Sequence, residues 1–594
     1  MALVSKSWYE VVNELVARYQ RDTMQLTFNF GSRAEILAIR QQVQLRGRAV
    51  RDLRIRMGHS DGTHFVAGIW WWMEDREISW DVILSQLPGL KRLDLSLLPL
   101  ESHHLPILLD LAAKFCLQLE MLILPRKCDV SKMVNGAAID KVMKALRGAM
   151  QRWYRKGTCG GLKQLTVPTR EEQDRCHSST RFIEDVIHFC PNIEYLDGYN
   201  HVIDEVDDVT CEEQWMISLD TWEKFNRTCT SLRGFHWAVV PFADPFFRVF
   251  GKYVKPKLTK LTLTSNLSWN WDEYFERDDI TGIRFEEPGY GFFANDVIAL
   301  LKGCPALTKL EIAIDQEKND EAAAALLDPN IFGDKFWKAL VYHCPLLQSL
   351  NFHDSSAYGG SLVVRPIKKF TDRGLLALAD HTRLTSIELP AVCCSGDGVF
   401  EYIKHVFSKK DFAGGHRCLA LSLAGPNDHD TALPHPFYVE LAQLLGRLAA
   451  TREVELGVAS CSHKASINVF NPHSSSVDKD WSISYLRDEL KPLMEKVAKA
   501  HPTLDVHVVL CRNTEDSFDQ IDNLELNWCP GSQQGDIFID DEFVNNADSS
   551  DSDEDDEEFY DDEDILDPQE IYLRRHAMLL ENEYEVFPDE VDEN

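Results

Sequence analysis

The sequence predicts an α/β solenoid, in which short parallel strands alternate with helices along one extended array. Its 594 residues are too many for one ordinary globular core. A leucine-rich phrase recurs about a dozen times, and segments of helical periodicity lie between its copies. Because a phrase repeated in register indicates stacked structural units, these observations favour a repeat array over a set of unrelated domains.

The phrase has the form L-x-x-L-x-L, and its last two apolar residues alternate with polar ones. That alternation is typical of a half-buried strand. Clear copies begin at Leu90, Leu119, Leu162, Leu258, Leu307, Leu347 and Leu384. Weaker copies begin at Ile193, Leu232 and Cys418, and two early ones begin at Thr23 and Val50. The phrase therefore predicts one short strand in each repeat.

Between the copies lie segments with helical periodicity, at residues 180–190, 295–304, 336–344 and 371–381. Asn295 and Thr371 are suited to cap helix starts, because their side-chain oxygens accept hydrogen bonds from first-turn amides. A strand and a helix that cannot bury their apolar faces alone stack into a curved solenoid with a long concave surface. The expected fold class is thus the leucine-rich-repeat solenoid.

The cysteines fall into the same register. Cys190, Cys304 and Cys344 are each followed by proline and stand three residues before a strand phrase, and Cys229 has a similar place. A free cysteine packs as a small hydrophobe, so we expect buried, reduced thiols at helix ends. Metal binding is the alternative, but one cysteine per repeat does not gather several ligands. The 15 cysteines include no C-x-x-C pair, which argues against a zinc ribbon or a closed disulfide framework.

The repeats resemble those of a known family. Thr371-Asp-Arg-Gly-Leu-Leu-Ala-Leu-Ala379, followed by Leu384-Thr-Ser-Ile-Glu-Leu389, is similar to the cysteine-containing leucine-rich repeat of F-box/LRR proteins. The Cys-Pro-x-Leu-x-x-Leu copies are similar to it as well. The resemblance covers about residues 21–512, an array of degenerate repeats with long inserts of the kind seen in fungal members. Few copies keep the Asn or Cys that normally follows the strand.

The first residues extend the resemblance. Leu3-Val-Ser-Lys-Ser-Trp8 is similar to the end of an F-box, where a Val-x-Lys-x-Trp segment precedes the repeats. Leu3, Val4 and Trp8 are therefore expected next to an adaptor, in a partial F-box-like helical segment at residues 1–20. The opening Leu-Pro segment and first helices of an F-box are missing from this sequence, so we expect weak or no binding of the Skp adaptor. The same three residues also suit an ordinary buried helix face.

Residues 513–594 are predicted to form an acidic, mostly disordered tail. From residue 536 onward the chain carries 25 acidic residues and two arginines, which gives −23 of the total net charge of −33. Such a block cannot collapse against its own repulsion, although residues 567–587 regain the pattern of an amphipathic helix. Ser550 and Ser552 each have an acidic residue three positions later, the pattern favoured by acidophilic kinases. Phosphorylation there is expected to tune attraction to partners, not stability.

Composition and motifs disfavour several function classes. There is no long block of Lys and Arg, which a nucleic-acid partner would require, and no apolar run of the kind found in signal peptides and membrane spans. The motifs G-x-x-x-x-G-K-[ST], H-E-x-x-H and G-x-S-x-G do not occur, so we expect no enzyme activity, metal or cofactor. The pairs Gly289-Tyr-Gly291 and Gly396-Asp-Gly398 are interpreted as loop turns. The expected location is cytoplasmic and/or nuclear.

The concave surface is the predicted binding site, because a solenoid displays rows of strand side chains along it. Both charge signs and aromatic residues occur there, which suits a protein partner better than a polyanion. Plain solvated strand surface is the alternative for any one residue. Inserts at 201–215, 264–293 and 459–481 are further candidates for recognition loops. The candidate partner-binding residues are Arg92, Asp94, Tyr195, Asp197, Tyr199, His236, Lys260, Lys309, Glu311, Asn351, His353 and Glu388.

The resemblance implies the substrate-recognition subunit of a Skp–cullin–F-box E3 ubiquitin ligase. Its partners would be a Skp-type adaptor, the cullin complex and an unknown target protein, which the chain would hold near the enzymes at a raised effective concentration. The alternative is a leucine-rich-repeat interaction protein outside ubiquitin transfer, whose acidic tail binds basic partners such as histones.

Overall fold

The computed structural model describes residues 20–28, 33–57, 78–98, 102–125, 136–166, 179–197, 217–237, 246–265, 294–314, 329–354, 366–407, 417–426, 436–452, 465–471, 484–511, 524–528 and 538–539, together with residues 12, 14, 16, 17 and 456. The chain divides into a unit Met1–Asp540 and a unit Asp541–Asn594, and the second lies outside the described residues. The predicted tail helix and the glycine pair at 289–291 lie outside them too.

Sixteen strands of the described residues form one sheet, and their spatial order is their order in the sequence. Every pairing from the first strand to the fourteenth is parallel, whereas the last two strands are antiparallel. They are β1 (Thr23–Phe28), β2 (Asp52–Met57), β3 (Arg92–Leu97), β4 (Met121–Ile123), β5 (Gln164–Thr166), β6 (Tyr195–Asp197), β7 (Gly234–His236), β8 (Lys260–Ser265), β9 (Lys309–Ile314), β10 (Ser349–Asp354), β11 (Ser386–Val392), β12 (Arg417–Leu423), β13 (Ala465–Phe470), β14 (Leu504–Cys511), β15 (Leu524–Trp528) and β16 (Phe538–Ile539).

Helices make the second layer, because each parallel pair of strands needs a crossover connection. Each helix packs on the helix of the next repeat. They are α1 (Arg33–Arg46), α2 (Trp80–Ser85), α3 (His104–Phe115), α4 (Gly136–Lys156), α5 (Ser179–Phe189), α6 (Leu219–Thr228), α7 (Phe246–Lys252), α8 (Ala294–Leu301), α9 (Asp334–His343), α10 (Asp372–Ala379), α11 (Gly396–Phe407), α12 (Pro436–Ala450) and α13 (Lys491–Ala500). The predicted α/β leucine-rich-repeat solenoid is confirmed.

The strand phrase places its apolar residues between the sheet and the helices. Leu93 and Leu95 of β3 are fully buried, as are the corresponding residues of most other repeats. The residue before the strand fixes the register, because its carbonyl accepts two amides of the next repeat. The oxygen of Lys91 lies 2.8 Å from the nitrogen of Glu120 and 2.9 Å from that of Met121. Two hydrogen bonds to one carbonyl oppose a slip of one residue, which would turn the apolar face of the strand to solvent.

The position three residues before the phrase, which we call the helix-end position, is buried as predicted for the cysteines. Cys116, Cys229 and Cys344 are helix C-caps, and burial raises the pKa of the first two to about 12, which keeps these thiols neutral. The Sγ atom of Cys344 lies 3.9 Å from the carbonyl oxygen of Leu301 in the preceding repeat. The nine cysteines whose side chains the structure describes are free thiols.

Lys255 takes the helix-end position in one repeat, where Cys304 and Cys344 stand in the two that follow. Its side chain is fully buried. The ammonium donates hydrogen bonds to the carbonyls of Phe250, at 2.8 Å, and Tyr253, at 2.7 Å, and it lies 3.7 Å from the centroid of the Phe250 ring. Burial lowers the pKa of Lys255 to about 8, and the neighbouring Cys304 opposes that shift. The lysine thus satisfies carbonyl groups at the end of α7.

One predicted helix cap is confirmed and one is wrong. Thr371 precedes α10, and its side-chain oxygen accepts a hydrogen bond from the amide of Arg373 at 3.3 Å. Asn295 lies within the first turn of α8, because that helix already begins at Ala294.

Gly396 and Gly398 begin helix α11 and do not form the predicted loop turn. A Cβ atom at Gly398 would lie 2.1 Å from Oδ1 of Asp372. That carboxylate accepts hydrogen bonds from the amide and the hydroxyl of Ser395, at 2.7 and 2.8 Å. Glycine is required because an acidic side chain of the preceding repeat reaches the start of the helix.

The sheet also extends further than the sequence indicated. The segment 459–481, interpreted as an insert, contains strand β13, and β15 and β16 follow residue 512, where the predicted array ends. In β13 the buried Ile467 and Val469 alternate with Ser466 and Asn468. The strand is therefore present as an alternation, but the leading leucines of the phrase are missing.

Candidate partner-binding surface

The face of the sheet opposite the helices, which we call the open face, carries the predicted binding residues in two rows. Successive side chains of a strand point to opposite faces, and the apolar residues between these positions are buried. The parallel register aligns Arg92, Met121, Gln164, Tyr195, Gly234, Lys260, Lys309, Ser349 and Ser386 in the first outward row. In the second outward row it pairs Asp94 with Ile123 and Thr166 with Asp197, and it aligns His236, Thr262, Glu311, Asn351 and Glu388.

The second outward row is less accessible than the sequence predicted. Asp94, His236 and Glu311 are only 1%, 4% and 8% exposed. Neighbouring strands lie about 4.8 Å apart, so the side chains of adjacent repeats cover one another. A partner that approaches the open face would meet mainly the first outward row, with these three residues beneath it.

Charged residues neutralise one another at the amino-terminal end of the open face. Arg54 and Arg92 reach Oδ2 of Asp94 at 3.0 and 3.2 Å, and Arg92 also lies 2.9 Å from Asp52. The Oδ1 atom of Asp94 accepts hydrogen bonds from the amide and the hydroxyl of Ser96, at 3.1 and 2.6 Å. Arg92 and Asp94, predicted as binding residues, thus belong to an internal cluster in which a buried carboxylate is well supplied with donors.

Two lysines occupy the centre of the first outward row. Lys260 on β8 and Lys309 on β9 are directly opposed in the register. Lys260 is exposed, and the ammonium of Lys309 lies 3.6 Å from a carboxylate oxygen of Glu311. Beside them, burial and, to a smaller extent, the charge of Lys260 lower the pKa of His236 to about 3, so its imidazole is neutral near pH 7.

The structure brings together only part of the predicted set. Lys260, Lys309, Glu311 and His236 form one group, and Arg92 and Asp94 belong to the separate cluster described above. Tyr195, Asn351 and Glu388 are half-buried on the same face. The binding role of all these residues stays a prediction. Asp197 and His353 lie in β6 and β10, but their side chains are outside the described part of the chain, and so are the whole of Tyr199, Leu3, Val4, Trp8, Ser550 and Ser552.

Sequence reasoning missed a row of alternating charge just before the strands. Lys91 and Lys163 both reach the carboxylate of Glu120, at 3.3 and 2.9 Å, and Arg233 lies 2.9 Å from Glu194. The hydrogen bond from Lys163 is the main cause of a lowered pKa of Glu120. The signal was available, because these residues occupy the same place in successive copies of the phrase. It also missed Arg54 and Asp52, which the weak copy at Val50 contains.

The helix layer has an open groove between α6, α7 and α8. Glu223, Val249, Lys252 and Lys302 are among the residues that line it. The carboxylate of Glu223 accepts hydrogen bonds from the Lys252 ammonium and, at 2.8 Å, from the hydroxyl of Tyr253. Within the described residues, no three His, Cys, Asp or Glu side chains are placed to hold a metal ion. None of the described helices is long and apolar enough to cross a membrane.

Comparison with known proteins returns a solved structure but no family. No protein-family model matches the sequence, and no curated protein matches it. The chain is similar to a chain in the crystal structure of the Rad7 and Elc1 complex in yeast, with 12% sequence identity and a TM-score of 0.31. The match covers 73% of this chain and 97% of that chain. The fold is defined by the strand register described above.

Proposed function

We propose that the chain is the target-binding subunit of a ubiquitin ligase of the Skp–cullin–F-box type. The observation that carries the proposal is the open face, where parallel strands set rows of side chains opposite the helices. Such a face suits contact with a protein over many residues. The chain itself would contribute binding, and its partner enzymes would contribute the chemistry.

The ligase assignment depends on two resemblances in the sequence. Residues 3–8 are similar to the end of an F-box, and the repeats are similar to the cysteine-containing repeats of F-box/LRR proteins. The buried place of Cys304 and Cys344 at helix ends supports the second resemblance. Under this proposal, Leu3, Val4 and Trp8 lie next to a Skp-type adaptor.

The test is purification of the tagged protein from cells that express it at its native level. Chemical cross-linking before lysis retains an adaptor that binds weakly, and mass spectrometry should then identify a Skp-type adaptor and a cullin. A Leu3→Ala/Trp8→Ala variant should lose the adaptor and keep the target. A Tyr195→Ala/Asn351→Ala variant should lose the target and keep the adaptor. Recovery of targets without any adaptor or cullin would contradict the ligase assignment.

The acidic composition of residues 536–594 favours a second candidate, an interaction protein for basic partners such as histones. Screening weakens attraction between exposed charges. Under this function, recovery of histones should fall between about 0.1 and about 0.5 M salt. It should also fall on removal of the residues after Ile539, which leaves the described sheet intact.

A further inference from the structure

Where two directly opposed residues on neighbouring strands of the open face are both charged, their charges are opposite, with one exception. Asp52 lies opposite Arg92, and Arg54 lies opposite Asp94, and both pairs form ion pairs. Lys260 and Lys309 are also directly opposed, but they carry the same charge. In the strand registers that the structure describes, no other pair sets like formal charges opposite each other.

Like charges directly opposite on neighbouring strands are destabilising. Because the strands are about 4.8 Å apart, the two lysine side chains extend side by side from the same face. The carboxylate of Glu311 lies 3.6 Å from the Lys309 ammonium and compensates one of the two positive charges. Among the described residues, no carboxylate forms an ion pair with Lys260. The centre of the face therefore presents positive charge that the described residues do not neutralise.

The neighbours of the two lysines in the first outward row are hydroxyl groups or empty space. Gly234 has no side chain and leaves a gap between Lys260 and the phenol of Tyr195. From β6 to β11 the row consists of Tyr195, Gly234, Lys260, Lys309, Ser349 and Ser386. This part of the row offers hydrogen-bond donors and contains no carboxylate.

We propose that Lys260 and Lys309 bind carboxylates of an acidic peptide segment on a partner protein. The inference rests on the proposed function, because it names the chemical class of target for the same face. A carboxylate between the two ammonium groups replaces a repulsion with charge-assisted hydrogen bonds. The six strands from β6 to β11 span about 24 Å, enough for about seven residues of extended peptide. Departure from the charge compensation seen elsewhere on the face is typical of a functional site.

A nucleic acid also carries anionic groups, but the open face is unsuited to one. From β6 to β11 the first outward row holds two cations, Lys260 and Lys309, and Glu311 pairs with one of them. Nucleic-acid binding needs a basic patch or stripe on one face. A short acidic peptide needs only the central lysines and the hydroxyl groups beside them.

The test is a fluorescence-anisotropy titration of a fluorescein-labelled, glutamate-rich peptide with the purified full chain, without adaptor or cullin. Binding should be stronger at about 0.05 M than at about 0.3 M salt, and the matching glutamine peptide should bind far more weakly. The Lys260→Gln/Lys309→Gln variant should bind the glutamate peptide about tenfold more weakly than the wild-type chain. Its melting temperature should change little, because the substitution removes the repulsion between the two lysines together with the contact of Lys309 with Glu311.

The matched control is Lys335→Gln/Lys338→Gln, which removes the same charge from two exposed lysines on α9. It should keep wild-type affinity within about twofold. An equal loss in both variants would show a net-charge effect and overturn the proposal, as would no loss in either. Tighter binding of a single-stranded oligonucleotide that depends on the same two lysines would overturn it in favour of a nucleic acid. Since the titration uses the chain alone, failure to recover an adaptor or cullin from cells would refute the ligase and leave this result unchanged.

Discussion

The buried charge of Lys255 gives a quantitative prediction about stability. The pKa of this ammonium falls from 10.5 to about 8 in the folded protein. The unfolded chain keeps the proton to higher pH than the folded chain does, so stability rises with pH between about 8 and about 10.5. Below pH 8 the folded state carries the whole cost of the buried charge. The difference of about 2.5 in pKa corresponds to about 3 kcal/mol.

The perturbation is Lys255→Met, which keeps an unbranched side chain and removes the titrating group. Urea unfolding at pH 7 and pH 9, followed by tryptophan fluorescence, gives the free energy of unfolding of both proteins. The wild-type protein should gain about 1.4 kcal/mol relative to the variant between these two pH values, because about one pH unit separates the folded pKa from pH 9. Lys257→Met removes an exposed lysine nearby. Its free energy of unfolding should change between pH 7 and pH 9 by the same amount as that of the wild-type protein. Parallel pH profiles for the wild-type protein and Lys255→Met would refute the reasoning.

Two further predictions concern glycine and cysteine. Gly398→Ala should destabilise the protein by about 2 kcal/mol, because the new Cβ would lie 2.1 Å from Asp372. Gly446→Ala in α12 is the control, because its new Cβ would have no atom within 4 Å. It should stabilise the protein by about 0.5–1 kcal/mol. Equal shifts in thermal unfolding would contradict the steric argument. Alkylation without reductant should reveal no disulfide among the 15 cysteines by intact mass. In the native protein the half-buried Cys159 and Cys393 should react before Cys190, whose buried thiol has a pKa of about 12; the reverse order would count against the assigned burial.

The strand ladder was largely predictable because its information is local. The twelve copies of the phrase, including the weak ones at Thr23, Val50 and Cys418, coincide with β1 to β12. Each copy contains the period-2 alternation that a half-buried strand needs. Strands β13 and β14 were missed because their alternation lacks the leading leucine of the phrase, and β15 and β16 were missed because they pair as antiparallel strands outside the repeat.

For the candidate site, the sequence predicted which face of the sheet the side chains point to, but not how exposed they are. Alternation indicates that Asp94, His236 and Lys260 point to the same face, but it does not indicate how much solvent reaches them. Asp94 is buried because Arg54 and Arg92 cover it from two different strands. Such cover depends on which residues stand opposite each other in adjacent repeats. For Arg54 and Asp94 that register is set by backbone pairing between β2 and β3, 40 residues apart, and a single repeat does not contain it.

The helix-end position shows what the repeat requires there, because unlike residues satisfy it. Cys344 lies 3.9 Å from the carbonyl oxygen of Leu301. In later repeats the Nε2 atoms of His381 and His501 lie 2.9 and 2.8 Å from the carbonyl oxygens of Cys344 and Leu448. Lys255 donates to two carbonyls at the end of its own helix. Since the last carbonyls of a helix have no partner within it, the position selects a buried hydrogen-bond donor, and sulfur is one way of providing it. A consensus written around cysteine therefore omits repeats whose strand phrase is clear, such as those that begin at Leu258 and Leu384, where Lys255 and His381 occupy the helix-end position.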